Sequence, residues 1–361
     1  METPWTRILL KAAAWLLPAL LTLAAAAQSA SAPAATAQPP QQQAPASPPA
    51  ATSPASPAAA PSAAPAAEQP SKPADQSAPS DDSVLTIRIP SNEVNVVFTV
   101  TDKHGKRITD MKQADFRVMD DNKPPELIRS FAAETNLPLQ VGLLIDASNS
   151  VRDRFKFEQE AAIEFLNAII RRRYDKAFVV GFDATPEVTQ DFTDDTSSLS
   201  AGVRMLRPGG GTALYDALYF ACRDKLMKQE QTRPVRRAII LLTDGEDNLS
   251  HVTREEAIEM ALRAEVIVYT ISTNISGMKG KGDKVLERIA EATGGRAFFP
   301  FQMRDVADAF LSIQEELRSQ YAVAYKPADF AANGRYRTIE ILAQDRNLKV
   351  RTRKGYYAPK Q

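Results

Sequence analysis

One cysteine and two histidines are all that 361 residues carry, and this scarcity closes off several kinds of chemistry. A lone Cys222 cannot staple the chain internally. It falls at an apolar-looking position in a helical stretch over residues 213–227 and reads as a small buried hydrophobe rather than a redox group. Zinc centres draw on His and Cys ligands, which are too few here. No Gly-x-Ser-x-Gly elbow occurs, and His104 in a hairpin turn and His251 in a loop give a serine nucleophile no evident base. The run Gly209-Gly210-Gly211-Thr212 lacks the Lys of a phosphate-binding loop. Net charge is missing as well, since 44 basic residues balance 44 acidic ones. That balance leaves no electrostatic footprint for nucleic acid and no basic stripe for an anionic membrane. The chain is therefore read as a non-enzyme that binds no nucleic acid.

Composition then divides the chain. Residues 1–27 have a basic start (Arg7, Lys11), an apolar stretch from Ala12 to Leu23 and a small-residue end, Ala25-Ala26-Ala27. This is the pattern of a secretory signal peptide, with cleavage expected before Gln28 and export to the periplasm or beyond the cell. The alternative is an uncleaved anchor, against which stands a run shorter than the ~20 residues a span needs. No later segment is apolar for long enough to cross a bilayer, so the mature chain is expected to have no membrane span. Residues 28–83 are dominated by Ala, Pro and Ser, cannot bury enough apolar surface to fold, and read as an extended spacer.

Residues 84–136 change to strand periodicity. Val94, Val96, Phe98 and Val100 alternate with polar neighbours, and Phe116–Val118 and Leu127–Phe131 suggest further strands between turns at 102–105 and 120–123. From 137 to 318 the pattern is strand, helix, strand, helix. Apolar runs at 141–145, 178–182, 239–242 and 266–271 alternate with amphipathic stretches, one carrying Phe157, Ala161, Phe165 and Ile169 on a single face. Another begins at Thr253 with Glu256 three residues on, a capping-box spacing. Such alternation gives an α/β fold, a doubly wound parallel sheet with helices on both faces. Residues 319–361 return to strands and end in Lys349, Arg351, Arg353 and Lys354, charges that commonly guard a sheet edge. The two flanking segments are expected to pair into one small β module.

Three separated pieces of the central region supply hard oxygen ligands: Asp146-Ala-Ser148-Asn-Ser150, Thr212, and Asp244 in Thr-Asp-Gly. Asp146 and Asp244 each follow a buried-strand run, which places them at the carboxyl ends of parallel strands, where open α/β sheets bind ligands. Two carboxylates and three hydroxyls suit a divalent cation such as Mg²⁺ or Mn²⁺. Neutral hydroxyl ligands leave such an ion most of its charge, with the carboxylates best placed to act through water and hydrogen bonds. Asp216, one turn past Thr212, either supports the site from behind or favours a helix dipole. Asp247 and Asn248 are assigned to the surface loop after the strand.

In this order and context, Asp146-x-Ser148-x-Ser150, Thr212 and Thr243-Asp244-Gly245 resemble the metal-ion-dependent adhesion site of von Willebrand factor type A domains. The longer frame is similar to secreted bacterial proteins of the acidobacterial type that carry such a domain. Those similarities run through Val94–Val100, Ala114-Asp-Phe116, the stretch 210–217 and Arg353-Lys-Gly-Tyr356. The resemblance implies a Rossmann-like fold with one antiparallel edge strand, for which 187–192 is the candidate. It also implies Mg²⁺ or Mn²⁺ held directly by Ser148, Ser150 and Thr212, and a protein partner that presents an Asp or Glu to the ion. A structural scaffold using the flanking β segments, with a metal that only stiffens a loop, is the alternative. Asn149 departs from the glycine common at that position, which touches loop flexibility and removes no ligand.

Overall fold

The computed structural model describes residues 92–134, 137–229, 234–274, 276–300 and 302–360. All fall within one compact unit, Val84–Gln361. The leader and spacer expected over residues 1–83 lie outside the described residues.

A sheet of six strands forms the centre: β4 (Leu139–Asp146), β5 (Lys176–Phe182), β6 (Pro186–Thr193), β7 (Arg236–Thr243), β8 (Val266–Ser272) and β9 (Ala297–Phe298), in the order β6-β5-β4-β7-β8-β9. All pairings are parallel except β5 with β6, so the expected antiparallel edge is present. Every residue of β4 is buried, as a strand covered on both faces requires. One face packs Val141, Leu143, Ile145, Ile240 and Leu242 against α1 (Phe155–Ile169), α2 (Thr196–Met205) and α6 (Met303–Leu317). The other packs Leu144, Ile239 and Leu241 against α3 (Leu214–Phe220), α4 (Arg254–Arg263) and α5 (Lys281–Thr293). The Thr253 cap is formed as its spacing predicts, with Glu256 reaching back to the Thr253 N–H. Past Phe220 the helix widens into a π-turn, where Met227 N–H donates to Cys222 C=O at 2.9 Å. Cys222 is fully buried there, and burial pushes its thiol far above the ordinary range, which makes it inert as a nucleophile.

The flanking segments do pair. β1 (Val94–Thr101) lies between β10 (Gln320–Lys326) and β12 (Lys349–Thr352), with β3 (Leu127–Glu134) beyond β10. A three-stranded sheet joins β2 (Phe116–Asp120), β11 (Tyr336–Ala343) and β13 (Gly355–Tyr357). Between the two sheets Val96, Phe98, Val118, Tyr321, Val323 and Ile341 form a third core. Buried Asp120 clamps it, accepting from the hydroxyls of Tyr325 and Tyr356 at 2.9 and 3.0 Å and from Arg337 Nε at 2.8 Å. A second buried network joins this module to the central sheet. Tyr269 Oη donates to Glu316 Oε1 at 2.8 Å, Gln320 Nε2 donates to Tyr269 Oη at 3.1 Å, and Arg351 pairs with Glu316.

Asp120→Ala strands the half-buried guanidinium of Arg337 and two hydroxyls. The expected cost is about 3–5 kcal/mol of unfolding free energy, read as a lowered urea midpoint. An unchanged midpoint would show that the clamp does not hold the module together.

Candidate functional site

The chain leaves β4 toward β5 on one side and later returns to β7 on the other, so a topological switch point lies between the carboxyl ends of β4 and β7. Asp146 ends β4 and Thr243 ends β7, each fully buried. Asp146 Oδ2 accepts from Thr243 Oγ1 at 2.6 Å and Asp146 Oδ1 accepts from Ser148 N–H at 2.8 Å. These bonds turn the chain sharply after β4 and bring the next two serines back over the strand ends. Ser148 Oγ stands 2.9 Å from Ser150 Oγ, and Ser150 Oγ donates to Asp244 Oδ2 at 2.7 Å. Asp146, Ser148, Ser150 and Asp244 thus form one hydrogen-bonded chain. Asp244 Oδ1 accepts from Glu246 N–H at 3.0 Å, which fixes the second carboxylate.

Thr212 arrives on a separate loop and is buried. Gly210 C=O accepts from Asn149 N–H and from Asn149 Nδ2, both at 3.3 Å, and Gly209 N–H donates to Ala147 C=O at 2.7 Å. Asn149, expected only to alter flexibility, therefore stitches the serine loop to the glycine loop. Gly210 has φ +68°, a left-handed conformation that glycine adopts without strain, and it lies against the Asp183 side chain, where a Cβ would be crowded. Thr212 N–H donates to Asn248 Oδ1 at 2.9 Å, and its carbonyl accepts from Asn248 and Leu249. Asn248 and Asp247 are more than surface residues: Asp247 Oδ1 accepts from Leu214 N–H at 2.8 Å and from Ser250 Oγ at 2.6 Å, anchoring the start of α3. Asp216 takes neither expected role alone. It accepts from His251 N–H and Val252 N–H, both at 2.9 Å, and binds His251 Nδ1 at 2.8 Å, so it ties α3 to the loop before α4.

The sequence reading missed three residues. Thr243 orients Asp146, a role readable only once the two strands are known to be neighbours. Gly282, at the start of α5, packs on Asp244 so closely that a Cβ there would overlap the Asp244 carbonyl. Glu158 lies 2% exposed on α1, with Arg154 Nε 3.3 Å from its Oε1 and no hydrogen bond to its Oε2. Burial pushes the Glu158 carboxyl up to about 8, Arg154 opposes the shift, and the charges of Asp146 and Asp244 add to it. Burial also raises the Asp146 carboxyl, against the hydrogen bonds from Thr243 and Ser148. Burial and neighbouring acid charge thus both act against ionisation of Glu158 and Asp146.

The donor set suits a hard cation. Among the described residues no three His, Cys, Asp or Glu side chains gather to hold a metal. An ion here would rely on hydroxyls. Two neighbouring ligands of an octahedral Mg²⁺ at about 2.1 Å stand about 3 Å apart, and the Ser148 and Ser150 oxygens are separated by 2.9 Å.

The sequence profile of the von Willebrand factor type A domain matches residues 141–246, which hold every residue of this constellation. The centre of this chain is a von Willebrand factor type A domain. A curated relative, calcium-activated chloride channel regulator 1 of Bos taurus, is 31% identical over 169 residues, which is 44% of this chain and 17% of the relative's length. Two solved type A structures are similar in outline. That from Catenulispora acidiphila is 14% identical with a TM-score of 0.45, covering 74% of each chain. That of the type V pili tip protein Mfa5 from Porphyromonas gingivalis is 17% identical with a TM-score of 0.43, covering 50% of this chain and 95% of that one.

Two predictions follow from the geometry of this type A domain. In EDTA, Glu158 contributes most to stability below pH 4.5, where it is neutral folded or unfolded; that contribution is lost as pH rises through about 8. Glu158→Gln should flatten this loss and raise Tm at pH 9 relative to pH 5, by on the order of a few kcal/mol of stability. Equal Tm differences at both pH values would remove the electrostatic account. Gly282→Ala should lower Tm at every pH, because backbone stands where the methyl would go.

Proposed function

We propose that this protein is an exported, metal-dependent adhesion-type binding module. Ser148, Ser150 and Thr212 would hold Mg²⁺ or Mn²⁺ through their hydroxyls, with Asp146 and Asp244 acting through water and hydrogen bonds. Once bound, the ion supplies an electrophilic position that a carboxylate of a partner protein, from Asp or Glu, completes. The observation that carries this reading is the Ser148–Ser150–Asp244 chain at the switch point, with the two hydroxyl oxygens at the spacing of neighbouring octahedral ligands.

The residues of this chain have distinct tasks in it. Asp146 and Thr243 set the turn that aims Ser148. Asp244 orients the Ser150 hydroxyl by accepting its hydrogen bond, which leaves the oxygen lone pairs available to an ion. The Asn149–Gly210 bonds hold the Thr212 loop at the rim. A reading as a hydrolase finds less support: Asp216 holds His251 Nδ1, but the His251 ring is exposed on the surface, and His104 sits in the turn after β1, its backbone N–H on Asp102. Neither is hydrogen-bonded to Ser148. Export rests on the composition of residues 1–27. No helix among the described residues is long and apolar enough to cross a membrane.

Calorimetric titration of the full chain with Mg²⁺ and Mn²⁺ should give saturable binding that Asp146→Ala abolishes while circular dichroism shows the fold retained. Acetate or free glutamate should tighten it by completing the coordination shell. Absence of ion binding with and without those carboxylates would remove the adhesion reading.

A further inference from the structure

At the opposite end of the type A sheet lies a cavity of about 650 Å³, between the amino ends of β7 and β8 and the outer face of β10 and β1. β7 has eight residues, so at ~3.3 Å per residue this cavity is about 25 Å from the crevice that holds Asp146. It serves neither the core of the module nor the candidate metal site.

Its walls carry three arginines, Arg236, Arg237 and Arg353, and one acid, Glu265. Arg237 donates to Ala264 C=O at 2.9 Å and Arg236 donates to Leu317 C=O. Arg353 is 9% exposed, and its Nη2 donates to Asn95 C=O at 2.7 Å. Its Nε is buried with no hydrogen-bond partner. Glu265 reaches the Arg353 guanidinium only at 3.5 Å, the outer limit of a hydrogen bond, and its side chain is 59% exposed. A pair so long and so well hydrated neutralises a buried guanidinium poorly. A buried guanidinium with one bond to a carbonyl, the Tyr356 ring 5.9 Å away and a distant carboxylate keeps donor capacity for an anion, and charge-assisted bonds are among the stronger hydrogen bonds. The rest of the wall mixes the polar Asn95, Ser130 and Thr293 with apolar side chains, among them Val97, Val266 and Ile267. Tyr321, Val323 and Tyr325 of β10 turn into the module core, which leaves Ala322 and Ala324 to face this cavity with small side chains and open space.

We propose that this cavity binds a small organic anion with an apolar body, its acidic head on Arg353 and its body along Ala322 and Ala324. The site stands apart from the metal reading, and its test is run in EDTA so that no carboxylate can be captured by a bound ion.

Octanoate and inorganic phosphate are titrated separately into the full chain and followed by calorimetry. Octanoate should bind saturably with one site per chain, and phosphate, which has no apolar body, more weakly. Arg353→Met should weaken octanoate about tenfold or more, the loss of one charge-assisted bond. Ala322→Phe, which fills the space and keeps every charge, should do the same. Ala322→Phe keeps the test decisive if Arg353→Met fails to fold. No saturable octanoate binding, phosphate binding tighter than octanoate, or octanoate affinity unmoved in the folded cavity variants would each overturn the proposal.

Discussion

The hydrogen bond from Thr243 to Asp146 depends on one earlier fact, the parallel pairing of β4 with β7. Two strands far apart in sequence end at the same level, and a buried carboxylate survives there because a neighbouring hydroxyl meets it. Everything above that bond is short-range geometry. The serine loop folds back because Asp146 also accepts from Ser148 N–H, and Asp244 falls into place because it directly follows Thr243. Were the pairing shifted by one residue, the side chain that ends β4 would point to the other face and the constellation would not form.

This arrangement gathers like charge. The charge of Asp244 helps to raise the Asp146 carboxyl, the charges of both help to raise the buried Glu158, and Arg154 is the cation beside Glu158. Such a group is stable only if some of its members hold protons or a positive ion shares the space. The ion proposed for this crevice would supply that positive charge.

Much of this was legible in the sequence. The period-two run at Val94–Val100 faces the module core as its alternation requires, the uninterrupted apolar runs became the doubly covered strands, and Thr253 with Glu256 began α4. Asp146 and Asp244 could be placed at the strand ends because each ends or directly follows an apolar strand run. What stayed hidden depends on long-range neighbours. Thr243, Asn248 and Gly282 matter through residues on other loops, and Glu158 looks like any helix-surface acid until α1 is laid against the sheet. The Arg353 cavity was equally invisible. The basic residues around Arg353 do fall on and beside an edge strand, since β12 closes one side of its sheet, but β12 also packs against α5, and Arg353, just past its end, is buried.

The β module is assembled from both sides of the type A domain, and this has a temporal consequence. β1 ends at Thr101, but its partners β10 and β12 begin at Gln320 and Lys349. At ~5–20 residues per second of synthesis, β1 waits on the order of ten seconds or more with both edges bare. The central sheet, whose strands are all made in that interval, can close first. A chain emerging amino end first thus carries an apolar ribbon whose two mates are among the last parts of the fold to arrive.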